Sequence, residues 1–404
     1  MGSHICYLYN MAYLKFSADH LFTGYELLEN DAVLITDEQG KVQEIVSLKD
    51  AGGEIQIFNG ILTPGFVNCH CHLELSHMKG LIPEGAGLVD FVFKVVTERH
   101  FSNEEIFQAI IKAEDEMLQG GIVAVGDICN NILTIPQKNK RRLAYYNFVE
   151  ASGWLESFAQ SRFERSYNFY EDFQKISRDH SSIVPHAPYS VSNKLWELLQ
   201  PGFTGKTITI HNQETAFEDE LFLQASGDFI RMYQLMKIDS SNFKASGKSS
   251  LQTYFGKLKS AAAVLLVHNT FTKQEDIEYA KSNAQFNNEQ LWWCLCANAN
   301  LYIENMLPPV ELFKNNNCSM VIGTDSLAGN RGLSIMDEIK TLQQHFPFLL
   351  IEELLKWATI NGASALQMND TFGSFEKGKQ PGVVLIDGAA NKSITAASTA
   401  RRIL

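Results

Sequence analysis

The sequence predicts an α/β protein: a (β/α)8 TIM barrel with a small β-sandwich domain beside it. Two observations predict the barrel: eight short apolar runs recur along the chain, and helical stretches lie between most of them. A third observation predicts the small domain. Both ends of the chain contain strand-like pieces and turns, but neither end can complete a core alone. We therefore expect residues 61–370 to form the barrel, and residues 1–60 and 371–404 to pair as the small domain.

The eight runs are short and almost wholly apolar, which is typical of strands buried on both faces. They are Ile61–Cys69, Gly121–Cys129, Leu143–Val149, Ser181–Pro185, Thr207–Ile210, Ala262–Val267, Leu291–Cys296 and Ser319–Gly323. The helices predicted between them include Asn103–Met117, Leu195–Leu199 and Leu354–Leu366. Strand-like pieces at the two ends are Tyr7–Phe16, Ala32–Thr36, Val42–Val46 and Val383–Ile386.

Composition indicates a cytoplasmic enzyme. The 404 residues carry a formal net charge of −12, which disfavours nucleic acid as a partner because no basic stripe is available for phosphates. No apolar run approaches the ~18 residues that a membrane span needs, so we expect no membrane partner. The first residues lack the pattern of a signal peptide. Seven cysteines without a CxxC pair are typical of reduced thiols in the cytoplasm.

Two histidines close the first apolar run, two residues apart. Because side chains alternate along a strand, His70 and His72 point the same way, into the mouth of the barrel. Two imidazoles on a rigid strand make a good metal clamp, since each presents a neutral nitrogen and has little rotamer freedom to lose. Cys69 and Cys71 face the helices, where we expect them to be packing residues.

Further polar residues stand where other apolar runs stop. His186 follows the fourth run, His211 ends the fifth, His268 ends the sixth and Asp325 follows the eighth. The C-terminal ends of the strands form the catalytic face of a TIM barrel. Taken singly, His186 or His268 is equally well explained as a buried core histidine, and Asp325 as a helix N-cap. Together they indicate one site.

Six segments resemble the amidohydrolase superfamily, and within it the aminohydrolase branch. That branch contains S-adenosylhomocysteine/methylthioadenosine deaminases, aminofutalosine deaminase, guanine deaminase and triazine chlorohydrolases. The segments are PGFVNCHCH (64–72), HAPYSVS (186–192), HNQET (211–215), VIGTDSLAGN (321–330), ATINGASAL (358–366) and GSFEKGK (373–379). The resemblance covers nearly the whole chain. One departure is that Asn212 and Gln213 are polar where small apolar residues are common.

The resemblance implies a metal-dependent hydrolase acting on a carbon–nitrogen bond other than a peptide bond. It implies one divalent ion, with the ligands His70, His72, His211 and Asp325. Three nitrogens and one carboxylate suit Zn²⁺, and the ligand types leave Fe²⁺ and Mn²⁺ open. The third and fourth runs contain no lysine that could bridge two metal ions, which favours a mononuclear site.

The implied reaction is hydrolytic deamination of an aminated heterocycle, with a purine nucleoside or related ring as the leading substrate. Glu214 would protonate the ring nitrogen next to the attacked carbon, His268 would orient the attacking water, and Asp325 would take the water's proton. His186 would hold the substrate. The expected partners are a small heterocyclic substrate and water, and dimers are common among such relatives.

Three carboxylates are candidate substrate contacts. Glu74 and Glu84 lie on the long loop after the first run, and Glu150 follows the third. A carboxylate on a loop would suit ribose hydroxyls. Two other functions stay open: the same metal site could hydrolyse a cyclic amide or a triazine carbon–halogen bond, or the chain could be a non-catalytic barrel. The complete ligand set argues against the last.

Overall fold

The computed structural model describes residues 13–285, 288–389 and 391–404, and the described chain opens with seven short strands. They are β1 (Tyr13–Ser17), β2 (His20–Phe22), β3 (Leu27–Leu28), β4 (Ala32–Asp37), β5 (Val42–Ser47), β6 (Gln56–Ile57) and β7 (Ile61–Pro64). The pieces predicted at Ala32–Thr36 and Val42–Val46 are confirmed. Residues 7–12 of the piece predicted at Tyr7–Phe16 lie outside the described residues.

Eight parallel strands then form the barrel. They are β8 (Phe66–Cys71), β9 (Ile122–Cys129), β10 (Ala144–Ala151), β11 (Ser181–Pro185), β12 (Thr207–Asn212), β13 (Ala263–His268), β14 (Leu291–Leu295) and β15 (Ser319–Ile322). Backbone hydrogen bonds at the C-terminal ends of the strands link the two four-stranded halves. His211 N donates to His186 O at 3.0 Å, joining β12 to β11. Asp325 N donates to His70 O at 3.0 Å, joining the end of β15 to β8. The predicted TIM barrel is confirmed.

Fourteen α-helices lie in the described chain, mostly around this barrel. They are α1 (Leu88–Glu98), α2 (Asn103–Gln119), α3 (Ile135–Lys138), α4 (Ala159–Ile176), α5 (Asn193–Leu199), α6 (Ala216–Gln224), α7 (Phe229–Leu235), α8 (Ser250–Tyr254), α9 (Gln274–Asn283), α10 (Ala297–Glu304), α11 (Val310–Asn315), α12 (Ile335–His345), α13 (Ile351–Ala358) and α14 (Ile360–Ala365). In the described parts of the chain, no helix has the length and apolar character needed to cross a membrane.

The two ends of the chain share one small domain. The chain returns as β16 (Val383–Asp387) and β17 (Thr399–Arg402), giving sheets of order β5-β4-β1-β6 and β17-β16-β7-β2-β3. Phe16, Leu34 and Leu385 belong to one buried cluster that joins residues of both sheets. Ile61 and Val384, on the five-stranded sheet, belong instead to the main core with the barrel strands. That sheet therefore lies between the small domain's core and the barrel.

Two predicted elements are each divided in the structure. The run Ile61–Cys69 contains β7, in the small domain's sheet, and then β8 of the barrel. The chain changes sheet at Gly65, where an added Cβ would lie 2.3 Å from Val123 and 2.6 Å from Pro381 O, so only glycine fits. The helix predicted at Leu354–Leu366 is α13 followed by α14, because Thr359 leaves helical geometry with φ −129° and ψ −93°.

Candidate metal centre and active site

The ends of three barrel strands bring four buried side chains together. The ligand-type atoms of His70, His72, His211 and Asp325 all lie within 4.8 Å of one another. The Nε2 atoms of His70 and His72 are 3.2 Å apart. Asp325 Oδ1 is 3.3 Å from Nε2 of His72 and 3.7 Å from Nε2 of His70. The structure thus brings together the four side chains that the sequence resemblance implies as metal ligands.

Backbone strain marks the same strand ends. Four non-glycine residues have positive φ there: Gln213 (43°), His268 (71°), Asn269 (59°) and Asp325 (57°). Such a conformation costs on the order of 1–3 kcal/mol per residue and persists only where the surroundings enforce it. Strained backbone is concentrated at functional sites, so the strained strand ends indicate a functional site in addition to a packed core.

The cluster fits a divalent cation. Burial, followed by the charges of neighbouring histidines, lowers the pKa values of His70, His72 and His211 well below the usual range, so the imidazoles are neutral and can act as ligands. His211 Nδ1 lies 2.8 Å from His186 O, so Nδ1 carries the hydrogen and Nε2 is left free. One hydrogen cannot satisfy two facing Nε2 atoms and a nearby carboxylate. A shared cation satisfies all of them.

A proton donor and a hydrogen-bond acceptor lie beside this cluster. Burial raises the pKa of Glu214 well above its usual range, and the charges of Asp325 and Glu304 add to the effect, so the surroundings favour the protonated carboxyl. Glu214 Oε1 is 3.7 Å from His268 Nε2. On the other side of the His268 ring, Nδ1 lies 2.8 Å from Asn300 Oδ1, which places the hydrogen on Nδ1. His268 Nε2 therefore presents a lone pair.

A cavity of about 310 Å³ opens above these groups, and His72, His211, Glu214, His268 and Asp325 line it. The apolar part of its lining comes from α1, and from α7 and the residues after it. The wall residues are Leu88, Phe91, Val92, Val95, Met232, Met236 and Ile238. A polar corner contains Arg99, Asn130, Glu150 and Arg162. A larger cavity of about 620 Å³ lies between the barrel and the small domain, but it contains none of the clustered side chains.

Two of the four predicted substrate contacts line the cavity. His186 does so with its Nδ1 2.7 Å from Ser190 Oγ. Glu150 lies with Oε1 3.6 Å from His211 Nδ1, and its Oε2 accepts a hydrogen bond from Asn130 Nδ2 at 2.9 Å. Burial raises the pKa of Glu150 above the usual range. Their roles toward a substrate stay predictions.

Glu74 lies one layer behind the cavity, contrary to the expectation of a direct contact. Its carboxylate is buried and accepts hydrogen bonds from Arg99 Nη2 at 2.9 Å and Asn130 N at 3.0 Å. Burial raises its pKa to about 7, against the lowering effect of Arg99. Because Arg99 and Asn130 themselves line the cavity, Glu74 holds two lining residues from behind.

Glu84 is outside the cavity, so this predicted contact is wrong. Its carboxylate is exposed and pairs with Arg331, whose Nη2 donates to Oε2 at 2.7 Å. The reason is the path of the loop. Gly85 N donates to Tyr302 O at 2.7 Å and Gly87 N to Ile303 O at 3.0 Å, so the loop docks on α10.

Several lining residues were not predicted from the sequence. Arg99, Arg162 and Trp154 belong to no motif, and the apolar residues of α1 and α7 look like ordinary core positions. The available signal was indirect: α1 follows the long loop after β8 and has apolar residues on one face. The role of Asn300 was not predicted either; it lies behind His268 and fixes the orientation of that ring.

Comparison with known proteins agrees with this architecture. The model of the amidohydrolase family matches residues 61–403, so the chain belongs to that family. An adenosine deaminase of Helicobacter pylori is 27% identical over 365 residues, which cover 88% of this chain and 86% of that protein. A 5-methylthioadenosine/S-adenosylhomocysteine deaminase of Teredinibacter turnerae is 24% identical over 344 residues, covering 81% and 72%. The crystal structure of Helicobacter pylori aminofutalosine deaminase with methylthio-coformycin superposes with a TM-score of 0.77 at 24% identity, over 92% of each chain.

Proposed function

We propose that the protein is a metal-dependent aminohydrolase that removes the amino group of an adenine-type compound and leaves a ring carbonyl. The observation that carries the proposal is Glu214, a buried carboxyl that lines the cavity beside the four metal-ligand side chains and whose pKa is raised by burial. A proton held there can be given to a ring nitrogen, which deamination of a heterocycle requires. The names of the relatives, which are deaminases of adenosine compounds, support the same class.

His70, His72, His211 and Asp325 would hold the cation. When bound, the cation would supply Lewis-acid activation of the attacking water. Asp325 and the Nε2 atom of His268, which both line the cavity, would accept hydrogens from that water. Glu214 donates its proton to the ring nitrogen adjacent to the carbon that carries the amino group, so that carbon becomes electrophilic.

The amino group then leaves as ammonia. The water oxygen forms a bond to the ring carbon, and the amino nitrogen takes up a proton as its carbon–nitrogen bond breaks. The products are ammonia and a ring carbonyl with a hydrogen on the neighbouring nitrogen. The proton given by Glu214 stays on that ring nitrogen, and one hydrogen of the water passes by way of Asp325 or His268 to the leaving amine. The other, lost from the new hydroxyl as the carbonyl forms, returns Glu214 to its protonated form. The apolar walls suit a flat ring, and the corner with Glu150 and Asn130 suits hydroxyl groups of an attached sugar.

The first experiment is a screen for ammonia release. The zinc-loaded protein is assayed against adenine, its nucleosides and 5′-substituted nucleosides, guanine, a pterin, cytosine and an aminotriazine. The Asp325→Asn variant is assayed in parallel, with its metal content measured. We expect ammonia from adenine-type compounds and none from the variant. Chloride release from a chlorotriazine or opening of a cyclic amide, without ammonia from any amine, would contradict the proposal.

A further inference from the structure

Gln213 stands immediately before Glu214 and two residues after the ligand His211, and it is fully buried. Its side-chain amide uses its whole hydrogen-bonding capacity of two donors and two lone pairs. Nε2 donates to Asp219 Oδ1 at 3.2 Å and to Asp276 Oδ2 at 2.8 Å, and Oε1 accepts from Thr272 Oγ1 at 2.8 Å and from Asn212 Nδ2 at 3.4 Å. The partners fix which end of the amide is which, because a flipped amide would face two carboxylates with its oxygen.

The backbone of Gln213 is held as firmly as its side chain. Its N–H donates to Glu218 Oε1 at 3.1 Å, and its carbonyl accepts from Phe271 N at 2.9 Å. Gln213 is therefore tied to the first turn of α6, to the loop after β13 and to α9. These ties hold a φ of 43°, which a glutamine rarely adopts.

The two carboxylates that face the amide are themselves anchored. Asp276 Oδ1 accepts from Ser249 Oγ at 2.5 Å, and Asp219 Oδ1 accepts from Ser250 N at 2.9 Å. Asp219 Oδ2 also pairs with Lys273 Nζ at 3.2 Å. The Gln213 amide therefore binds two carboxylates whose positions are themselves fixed by hydrogen bonds.

The Glu214 carboxyl is held differently. In the described chain its polar contact is the 3.7 Å approach to His268 Nε2, and none of the side-chain hydrogen bonds reaches its oxygens. Its aim into the cavity is therefore set by the backbone before it, at Gln213. The start of α6 follows directly, since Thr215 is the N-cap residue of that helix.

We propose that Gln213 is a positioning residue for Glu214: its amide clamps the backbone so that the unanchored carboxyl points at the substrate ring. The inference rests on the proposed function, because it assigns the acid role to Glu214. It explains why a glutamine stands where the aminohydrolase branch commonly has a small apolar residue. In this chain the direction of the acid depends on a polar frame formed by α6, α9 and the first residues of α8 with its N-cap.

The test uses Gln213→Leu, which replaces the amide by a branched apolar side chain that is one bond shorter. The matched control is Gln137→Leu on α3, another buried glutamine whose Nε2 donates to a carboxylate, that of Glu114. Gln137 does not line the cavity. We expect both variants to melt earlier and to keep their metal. Only Gln213→Leu should lower kcat, and we expect a loss of about 10- to 100-fold. This is part of the ~10²–10⁴-fold that a general acid contributes to the rate. KM should change less than about threefold.

A double-mutant cycle with Glu214→Gln separates positioning from loss of structure. Single-turnover rates at high enzyme concentration are measured for the wild type, both single variants and the double variant. We expect Gln213→Leu to slow the wild type and to have no further effect when the acid is gone. If it slows Glu214→Gln by the same factor, or if kcat falls equally in Gln137→Leu, the inference is overturned and the proposed function stands. If Glu214→Gln is fully active, the proposed acid and this inference both fail.

Discussion

At the residue scale, burial in one site shifts the pKa values of a carboxyl and an imidazole in opposite directions. Burial raises the pKa of Glu214 and lowers the pKa of His186 to about 4, so the site favours the protonated carboxyl and the neutral imidazole. In water near pH 5–6, the carboxyl would be ionised and the imidazole would carry a proton. The site thus holds a proton donor and neutral nitrogen acceptors together without any unusual side chain, because desolvation disfavours the charged form of each.

Replacing the acid tests the assignment at this scale. Glu214→Gln keeps the shape of the side chain but has no proton to give to a ring nitrogen, so we expect kcat to fall by about 10²- to 10⁴-fold. Metal content should match the wild type, because Glu214 is not one of the four clustered ligand residues. Ammonia release and the metal-to-protein ratio measure the two quantities. Loss of the metal in this variant would show that Glu214 acts as a ligand and not as an acid.

At the element scale, the strand ends were predictable from the sequence and the cavity walls were not. An apolar run has to be buried, and in a closed barrel the residue after it has to reach the C-terminal face, so His70, His211 and Asp325 could be placed from the pattern alone. The loop carrying Glu84 follows no such rule. Its path is set by hydrogen bonds from Gly85 and Gly87 to a helix more than 200 residues away in sequence.

The same contrast explains the two divided elements. Ile61–Cys69 is apolar throughout, and hydrophobic pattern does not show that Gly65 moves the chain from one sheet to another. The reason is a close approach of Val123 and Pro381, which exists only in the fold. Leu354–Leu366 keeps a helical pattern through Thr359, where the backbone turns and Thr359 Oγ1 donates to Leu355 O at 2.6 Å.

Trp154 is expected to limit the size of the substrate. Its ring stacks on Tyr233 at 4.5 Å, and it lines both the 310 Å³ cavity and a neighbouring cavity of about 580 Å³. Because Trp154→Ala would open one cavity to the other, kcat/KM for a nucleoside with a bulky 5′ substituent should rise relative to that for the unsubstituted nucleoside. Both values are measured on the same preparation. A ratio equal to that of the wild type would show that the substituent does not pass Trp154.

Helix α6 contains a group that makes stability depend on pH. Burial raises the pKa of Glu218 from 4.5 to about 8, and its Oε2 atom has no hydrogen-bond partner in the described chain. Between these two pH values the folded protein binds a proton that the unfolded chain releases. The free energy of unfolding contributed by this group is therefore fully present below about pH 4.5 and is lost as the pH rises to about 8, at up to about 1.4 kcal/mol per pH unit.

Glu218→Gln should remove this contribution at little structural cost, since the hydrogen bonds from Gln213 N and Ser250 Oγ both go to Oε1. We expect the urea midpoint of the variant to fall less steeply between pH 5 and 8 than that of the wild type. Glu338, with a pKa also near 8, and Glu74, with a pKa near 7, continue to act in both proteins. Equal slopes for the two proteins would mean that Glu218 is ionised in the folded state.

At the scale of the whole molecule, the candidate metal ligands lie where the barrel closes. His70 stands on β8, His211 on β12 and Asp325 after β15, so the cluster joins an edge strand of one half to both edge strands of the other. The closing hydrogen bonds at these edges also involve His70, His211 and Asp325. A bound cation would therefore cross-link both halves of the barrel, and the stability of the fold should depend on it.

Removing the metal should accordingly lower the melting temperature of the wild type. An ion that binds only the folded state adds about 2.7 kcal/mol when its concentration is 100 times Kd, and a chelator withdraws that contribution. Asp325→Asn lacks one of four ligands and leaves His70, His72 and His211 to hold the ion. Its melting temperature should start lower and change little with chelator. Scanning calorimetry with and without chelator measures both proteins. Equal shifts would place the stabilising ion elsewhere in the molecule, and no shift in the wild type would mean that the cluster does not cross-link the barrel through a cation.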